Sequence, residues 1–396
     1  MISAFDFILK TMENIDFGIK TFGAKTNKKT LEGILELLKK NIDNFKIYLV
    51  IAGTNTSQLE GISAAGIHAK SRKKTALADA EFLLFGASKD HKYKLPFLNA
   101  GVTPALISYV CSNLISANPI VVPLGMQVKP GFNHLNIEDQ LLEPANCLTT
   151  GKSMPKERVL NLFKKGSEIG RSLKQPILIA ESVPGGTTTA QAVMEAFGLK
   201  VSHLMGSSLF IAPRELKRKV TQKGLLNASL ENNFDSFDVI SSVGDPFQAF
   251  SVGLLIGARL ADQPVVLSGG SQMIALILLA LEILDFQNKK VFTENVFIAT
   301  TGWLLNDNSL SDLLNLINDK HGVELIGLAS PLNFKLSNYK ELKDYESGHV
   351  KEGVGAGGLS ILAFLKGFIN AEIVSLCQLN LEKMKDLGQI SLKQNY

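Results

Sequence analysis

The sequence is poor in cysteine and histidine, and this scarcity argues against disulfide bonds and metal sites. It has three cysteines and six histidines among 396 residues. Cys111, Cys147 and Cys377 are isolated, and no Cys-x-x-Cys pair occurs. A disulfide framework and a zinc site are therefore disfavoured, and a reducing cytoplasm is the expected location. The histidines are scattered without metal-ligand spacing, so we expect no metal site and no cofactor of that kind.

Charge and aromatic content argue against a nucleic-acid surface. The formal net charge is only +4, aromatic residues make up 7% of the chain, and there is a single tryptophan. Lysine and arginine are spread along the sequence rather than clustered, so no nucleic-acid partner is expected. The most apolar run, 273–284, is shorter than the roughly 20 residues of a membrane span and contains Glu282. The N-terminal segment lacks a basic stretch, so neither a signal peptide nor a membrane partner is expected.

Short apolar runs alternate with helical patterns along the chain. The runs are almost continuously apolar, which suits strands covered on both faces. Helical patterns cover 246–260 and 272–285, and a further one covers 31–38 near the N-terminus. This alternation predicts an α/β fold with a mainly parallel sheet. The predicted strands are 47–52, 82–85, 119–123, 177–180, 237–240, 265–267, 296–299 and 324–328.

Five of the predicted strands end in glycine beside hydroxyl or carboxylate side chains. The carboxyl ends of parallel strands meet at one edge of the sheet, where ligands of α/β proteins bind. A polar, phosphate-sized pocket is therefore predicted at this edge. The five strand ends are 52–56, 181–186, 241–246, 268–272 and 300–303.

The segment 176–190 is the most informative of these. A short strand ends at Glu181, a loop of Pro184, Gly185 and Gly186 follows, and three threonines open a helix. Such a loop offers backbone N–H groups and the positive end of a helix dipole to an anion. The alternative is a tight turn in which Thr187 only caps the helix. The segment is neither a Walker A loop nor a Gly-x-Gly-x-x-Gly fingerprint, which disfavours a dinucleotide dehydrogenase.

A second glycine-rich segment lies at 349–358. Four glycines occur within six residues, which is costly in conformational entropy unless the backbone must approach something closely. Glu352 precedes them. The alternative is a helix that packs tightly on a neighbour, with Glu352 as its cap. In the charged segment 213–236, the side chains of Lys217, Arg218, Lys219 and Lys223 form a solvated face, or one of them reaches a phosphate.

These segments resemble the nicotinate-nucleotide–dimethylbenzimidazole phosphoribosyltransferase family, and most closely its divergent archaeal and cyanobacterial branch. The resemblance extends over most of the chain. Two departures from the bacterial enzymes are that Pro-Gly-Gly-Thr-Thr-Thr replaces a glycine–asparagine loop and that Thr300-Thr-Gly replaces a His-Ser-Ala-Glu-like segment. The resemblance therefore leaves the accepted base open. It rests on the glycine-rich segments that follow Glu181 and Lys351, and on 59–66, 79–83, 243–248 and 267–273.

The resemblance implies a Rossmann-like α/β domain over 46–334 and a small, largely helical domain from 1–45 and 335–396. It also implies a homodimer that transfers the phosphoribosyl group of nicotinate mononucleotide to a benzimidazole-type base, for the lower loop of a cobamide. Glu352 corresponds to the general base of the family and Glu181 to a second glutamate of its site. The candidate substrate-binding residues are Gly185, Gly186, Thr187, Thr188, Gly244, Asp245, Ser268, Gly269, Gly270, Thr301, Gly302, Gly353 and Gly355.

The chemistry of that reaction suits these residue types. The pyridine leaves without needing an acid, while the incoming azole must lose a proton to a positioned carboxylate. A second carboxylate stabilises positive charge at C1′, and no metal or redox cofactor is required. Two alternatives stay open: another transferase that handles nucleotides or phosphosugars, and a non-catalytic protein that binds mononucleotides.

Overall fold

The computed structural model describes residues 17–63, 65–66, 68–138, 143–206 and 210–390. The seven strands of this part of the chain are β1 (Lys20–Gly23), β2 (Lys46–Ala52), β3 (Ile120–Leu124), β4 (Ile177–Ser182), β5 (Val265–Ser268), β6 (Val296–Thr301) and β7 (Ile326–Ser330). Its helices are α1 (Lys28–Lys40), α2 (Ala69–Phe85), α3 (Ala105–Leu114), α4 (Lys156–Arg171), α5 (Gly186–Ala196), α6 (Arg214–Ala228), α7 (Ser236–Val243), α8 (Pro246–Leu260), α9 (Ser271–Ile283), α10 (Phe286–Thr293), α11 (Ser309–His321), α12 (Lys340–Glu346), α13 (Ala356–Leu365) and α14 (Asn370–Asp386).

The strands form one sheet in the order β1-β7-β6-β5-β4-β2-β3. Every neighbouring pair is parallel except β1 with β7, which is antiparallel. The predicted α/β class with a mainly parallel sheet is confirmed. Because β3 lies outside β2 while β4 to β7 extend the other way, the strand order reverses between β2 and β4. Such a reversal opens a crevice at the carboxyl ends of the two strands.

Helices cover both faces of the sheet. Alternate residues of each inner strand belong to opposite cores, so that Ile177 and Ile179 face one core and Leu178 and Ala180 the other. The first core is closed by α4, α5, α8 and α9, and the second by α2, α3, α13 and α14. With both faces covered, the strands need the continuous apolar sequence from which they were predicted.

Two predicted strands are wrong. Residues 82–85 are the last turn of α2, and residues 237–240 lie within α7. In α7 the side chains of Asp235 and Asp238 form a reciprocal capping box, which fixes a helix start just before the apolar run. The segment 241–246 is therefore not a strand end: it joins α7 to α8. The other six predicted strands are present, with ends shifted by at most two residues.

The N-terminal part of the chain contributes to the sheet as well as a helix. Strand β1 pairs with β7, and α1 covers the predicted helical segment 31–38. The proposed division into two domains stays a prediction, and its residues 1–16 and 391–396 lie outside the described residues. Among the helices that the structure describes, none has the length and apolar character that a membrane crossing requires.

Candidate active site

Glu181 and Glu352 lie together at the carboxyl edge of the sheet, although 171 positions separate them in the sequence. Glu181 stands near the end of β4. Glu352 belongs to the loop before α13, and Val354 of that loop donates its backbone N–H to the carbonyl of Glu181 at 2.9 Å. Both glutamates line one cavity of about 590 Å³, which we call the large cavity. The geometry can therefore present two carboxyl groups to one ligand.

The carboxylate of Glu352 is held by four donors. Its Oε2 accepts from the Thr300 hydroxyl at 3.1 Å and the Thr301 amide at 2.6 Å. Its Oε1 accepts from the amides of Gly353 and Gly357, both at 3.1 Å. Burial raises the pKa of Glu352, while these hydrogen bonds oppose the rise. Because Gly357 is in the first turn of α13, Glu352 also caps that helix, as the alternative interpretation predicted.

The carboxyl group of Glu181 has fewer hydrogen-bond donors than that of Glu352. Its Oε2 accepts from the Val183 amide at 2.9 Å, and Gln272 hydrogen-bonds to the same carboxyl group. Burial, with a smaller contribution from the negative charge of Glu352, raises the pKa of Glu181 to about 8. Near neutral pH the Glu181 carboxyl group therefore keeps its proton, whereas the four donors to Glu352 work against the rise in its pKa.

The loop that carries Glu352 has an unusual backbone. Val350, Lys351 and Val354 have φ angles of 63°, 67° and 55°, in the left-handed region. This region is disfavoured for side chains other than glycine, and for valine above all. The loop is held by its surroundings: the Thr301 hydroxyl donates to the carbonyl of Lys351, in addition to the contacts of Glu352.

Cationic side chains also line the large cavity. Arg214 and Lys351 line it, as does Thr187 at the start of α5. Lys217 is fully buried behind Thr187 and donates to its hydroxyl at 2.7 Å and to the Gly206 carbonyl at 2.8 Å. Burial, and secondarily the charge of Lys351, lowers the pKa of Lys217 to about 7. A buried ammonium that donates to neutral oxygens is suited to a nearby anion that balances its charge.

A second cavity of about 280 Å³ adjoins the first, and we call it the small cavity. Glu181, Gln272 and Val350 line both cavities. Among the described residues, no hydrogen-bond donor satisfies the buried Oε1 of Gln272. Within the small cavity Asp79 of α2 accepts from the hydroxyls of Thr103 and Ser182.

Two predicted site residues, Gly355 and Ser268, lie where α13 comes close to the sheet. A Cβ atom on Gly355 would lie 2.8 Å from Cβ of Ala180, and one on Gly357 would lie 2.3 Å from the backbone of Thr300. The Ser268 hydroxyl accepts from the Gly358 amide at 2.7 Å. These close approaches account for the glycines, as the packing alternative predicted. Gly353 lines the small cavity, and Gly270 lines the large one.

The turn before α5 also uses its groups internally. Gly185 has a φ of 88°, and the amides of Gly186 and Thr188 donate to Val183 and Gly185 within the turn. A Cβ atom on Gly186 would lie 1.9 Å from Oε1 of Gln272. Of the three threonines, only Thr187 lines the large cavity. Two amides of this turn are therefore used within the turn, and the turn places Thr187 at the large cavity and Gly186 against the side chain of Gln272.

Four other predicted residues lie outside the lining of both cavities. Asp245 is fully buried and caps α8 in a capping box, and burial raises its pKa to about 6. Gly244 precedes it in the connection from α7. Gly269 follows β5 against the side chain of Met273, and Gly302 follows β6 against the carbonyl of Ser330.

Most of the polar lining of the two cavities was not predicted from the sequence. Asp79, Gln272, Arg214 and Lys351 were not assigned to the site. A usable signal existed for Asp79 alone, an acid inside the apolar run 76–85 of a helix. The other three become neighbours only through the packing of α6, α9 and the 350–354 loop around one edge of the sheet.

Comparison with known proteins gives a class for this fold and site. A family model described as phosphoribosyltransferase matches residues 98–287. The fold is similar to the crystal structure of nicotinate-nucleotide-dimethylbenzimidazole phosphoribosyltransferase from Thermus thermophilus, with a TM-score of 0.54, 14% identity, and coverage of 91% of this chain and 92% of that one. A second structure, CobT from the same organism, gives a TM-score of 0.55, 15% identity, and coverage of 90% and 92%. The class is that of the phosphoribosyltransferases.

Close relatives narrow the class to a family. The chain is 73% identical over 384 residues to a UPF0284 protein of Prochlorococcus marinus strain AS9601, covering 97% of this chain and 100% of that protein. It is 42% identical to a UPF0284 protein of Parasynechococcus marenigrum strain WH8102, covering 95% and 96%. The chain belongs to the UPF0284 family. The phosphoribosyltransferase model and the fold shared with the two Thermus thermophilus structures confirm the resemblance inferred from its motifs.

Proposed function

We propose that this protein transfers the phosphoribosyl group of nicotinate mononucleotide to a ring nitrogen of 5,6-dimethylbenzimidazole or a related base. The product is an α-ribotide for the lower loop of a cobamide. The observation that carries the proposal is the pairing of Glu181 and Glu352 in one cavity that Arg214 and Lys351 also line. A homodimer and a cytoplasmic location belong to the same proposal.

The phosphate of the nucleotide is assigned to the part of the large cavity that Arg214, Lys351 and Thr187 line. Arg214 and Lys351 supply positive charge there, and Thr187 supplies a hydroxyl backed by Lys217. This assignment relies less on backbone amides than the sequence suggested, because the amides of Gly186, Thr188 and Thr301 already have acceptors. A dianionic phosphate beside Lys217 would also stabilise the ammonium form of that side chain.

Glu352 is assigned as the general base. Its carboxylate accepts hydrogen bonds from four donors, which orient the group and oppose the rise in its pKa that burial causes. The lone pair of the incoming nitrogen forms the new bond to C1′ as the bond to the pyridinium nitrogen breaks. Nicotinate leaves with that electron pair, and the azole N–H proton passes to Glu352. To accept it, an oxygen of Glu352 must give up or share one of its present donors.

Glu181 is assigned to the reacting sugar. Its carboxyl group by itself carries a proton at neutral pH, because burial raises its pKa to about 8. The electrostatic role expected for an ionised Glu181 therefore depends on the bound pyridinium, whose positive charge favours loss of that proton. The unsatisfied Oε1 of Gln272, next to Glu181, is an acceptor suited to a ribose hydroxyl.

The experiment is to incubate the purified protein with nicotinate mononucleotide and a panel of azole bases, and to read the products by mass. Formation of a ribotide together with free nicotinate supports the proposal. Turnover with a different phosphosugar donor but not with this one would favour another transferase. Tight binding of the mononucleotide without turnover of any base would favour the non-catalytic alternative.

A further inference from the structure

The small cavity holds a cluster of polar groups that the proposed reaction does not use. Asp79 is 6% exposed and lines this cavity. Its Oδ1 accepts from the Thr103 hydroxyl at 2.7 Å, and its Oδ2 accepts from the Ser182 hydroxyl at 2.8 Å. Burial is the main cause that raises the pKa of Asp79 to about 6. Above that pH the group is a carboxylate.

The orientation of these hydrogen bonds decides what the cluster can bind. A hydroxyl has one proton, and both Thr103 and Ser182 spend theirs on Asp79. The three side chains therefore present only acceptor lone pairs to the cavity. The nearby guanidinium of Arg72 is directed to the backbone carbonyls of Ser57 and Gly66, at 2.5 and 3.0 Å. A ligand that satisfies the cluster must bring a hydrogen-bond donor.

The position of the cavity indicates which part of a substrate lies there. Glu181, Gln272 and Val350 line both cavities, so a ligand in the small cavity adjoins the sugar assigned to the large one. Pro96, Leu98 and Val183 give the small cavity apolar walls suited to a flat ring. On the proposed function, the occupant of this cavity is the accepting base.

We propose that Asp79 selects accepting bases that carry a hydrogen-bond donor, such as an amino or hydroxyl group, on a ring edge other than the reacting nitrogen. This inference rests on the proposed function and names the substrate class of the same site. A methyl group at that edge would remove water from a carboxylate without replacing its hydrogen bonds, which disfavours binding. An amino group of similar size donates a hydrogen bond to the carboxylate and so replaces the lost water.

The test compares bases that differ in one substituent: 5-aminobenzimidazole with 5-methylbenzimidazole, and adenine with purine. For each base, kcat/KM is measured with nicotinate mononucleotide, and Kd is measured by calorimetry with the base alone. We expect wild-type protein to prefer the amino member of each pair by roughly 10- to 100-fold, the range for a hydrogen bond to a charged group. Asp79→Leu should abolish this preference, and Asp79→Asn, which keeps the shape of the side chain, should reduce it several-fold. Asp90→Asn, at an exposed acid, should leave it unchanged.

Equal preference in wild type and Asp79→Asn, or a preference for the methyl compounds, would overturn the inference about Asp79. If Asp79→Leu does not fold, Asp79→Asn decides, since it still accepts from one hydroxyl. Failure of the proposed function has a different signature: no base forms a ribotide with any variant. In that case the ratio of the two Kd values within each compared pair of compounds still shows whether Asp79 recognises the hydrogen-bond donor.

Discussion

The amide of Val354 donates to the carbonyl of Glu181 over 2.9 Å, and this one hydrogen bond ties the Glu352 loop to the end of β4. The two residues are far apart in the sequence, so the local course of the chain does not bring them together. This hydrogen bond fixes the position at which the loop crosses the edge of the sheet. The hydrogen bonds of Glu352 with Thr300 and Thr301 attach the same loop to β6. The two carboxyl groups are thereby held in place before any ligand arrives.

Replacing Glu352 by glutamine should lower turnover per folded molecule by about 10²- to 10⁴-fold, because the amide cannot take the azole proton. It should also lower the free energy of unfolding by about 1–3 kcal/mol, because its NH2 group faces N–H or O–H donors. Turnover and urea unfolding are measured on one preparation. If Glu352 only caps α13, the stability loss will appear with turnover intact. Glu294→Gln, at an exposed acid, is the control and should change neither.

Lys217→Met should raise the Kd of nicotinate mononucleotide roughly 10- to 100-fold, as expected for loss of a charged hydrogen bond. The free energy of unfolding should change by no more than about 1 kcal/mol, since removal of a buried cation offsets the hydrogen bonds that are lost. Calorimetry and urea unfolding check the two effects. Lys219→Met removes a neighbouring, largely exposed cation and should leave binding unchanged. If the two substitutions change the Kd equally, Lys217 has no specific role in nucleotide binding.

Glu181→Gln should alter the pH dependence of stability. The pKa of Glu181 rises from 4.5 to about 8 on folding. The folded protein thus keeps a proton that the unfolded chain releases, and this stabilisation is complete below pH 4.5 and lost as the pH rises through about 8. Relative to Glu181→Gln, wild-type protein should lose stability as pH increases across this window. Urea unfolding of both proteins at several pH values tests this, and a difference that stays constant would contradict it.

Gly357→Ala should lower the free energy of unfolding by about 1–3 kcal/mol, because its Cβ would overlap the backbone of Thr300, which cannot move aside alone. It should also reduce turnover, since α13 and Glu352 must shift together. Gly33→Ala is the matched control: its Cβ meets no atom within 4 Å in helix α1. That change should instead stabilise by about 0.5–1 kcal/mol. Destabilisation by both substitutions would argue against the packing explanation.

The sheet could be predicted from the sequence because its strands are buried on both faces and therefore continuously apolar. The same rule misplaced 82–85 and 237–240, since a buried helix can show an equally apolar run. In α2 the polar residues Arg72 and Asp79 are themselves buried, at 4% and 6% exposure, so no solvent-facing stripe marks the helix. For α7, the pair Asp235 and Asp238 was a helix-start signal that the apolar run obscured.

The site was predictable only in part, for a related reason. Glycine segments and adjacent glutamates are local signals, and they predicted Glu181 and Glu352, which line one cavity. They could not separate glycines needed for close packing, such as Gly357, from those that line a cavity, such as Gly270. Cationic side chains such as Lys351 and Arg214 acquire a role only through contacts between distant segments, and no local pattern distinguishes them from solvated residues.

The left-handed backbone of Val350, Lys351 and Val354 has a consequence for how the protein folds. An isolated chain does not dwell in this conformation, since each such residue costs about 1–2 kcal/mol. The segment acquires its shape only when β4, β6 and the first turn of α13 are already in place to hold it. We therefore expect Glu352 to reach its native position late in folding, and we expect a chain that lacks one of these elements to contain both glutamates without an assembled site.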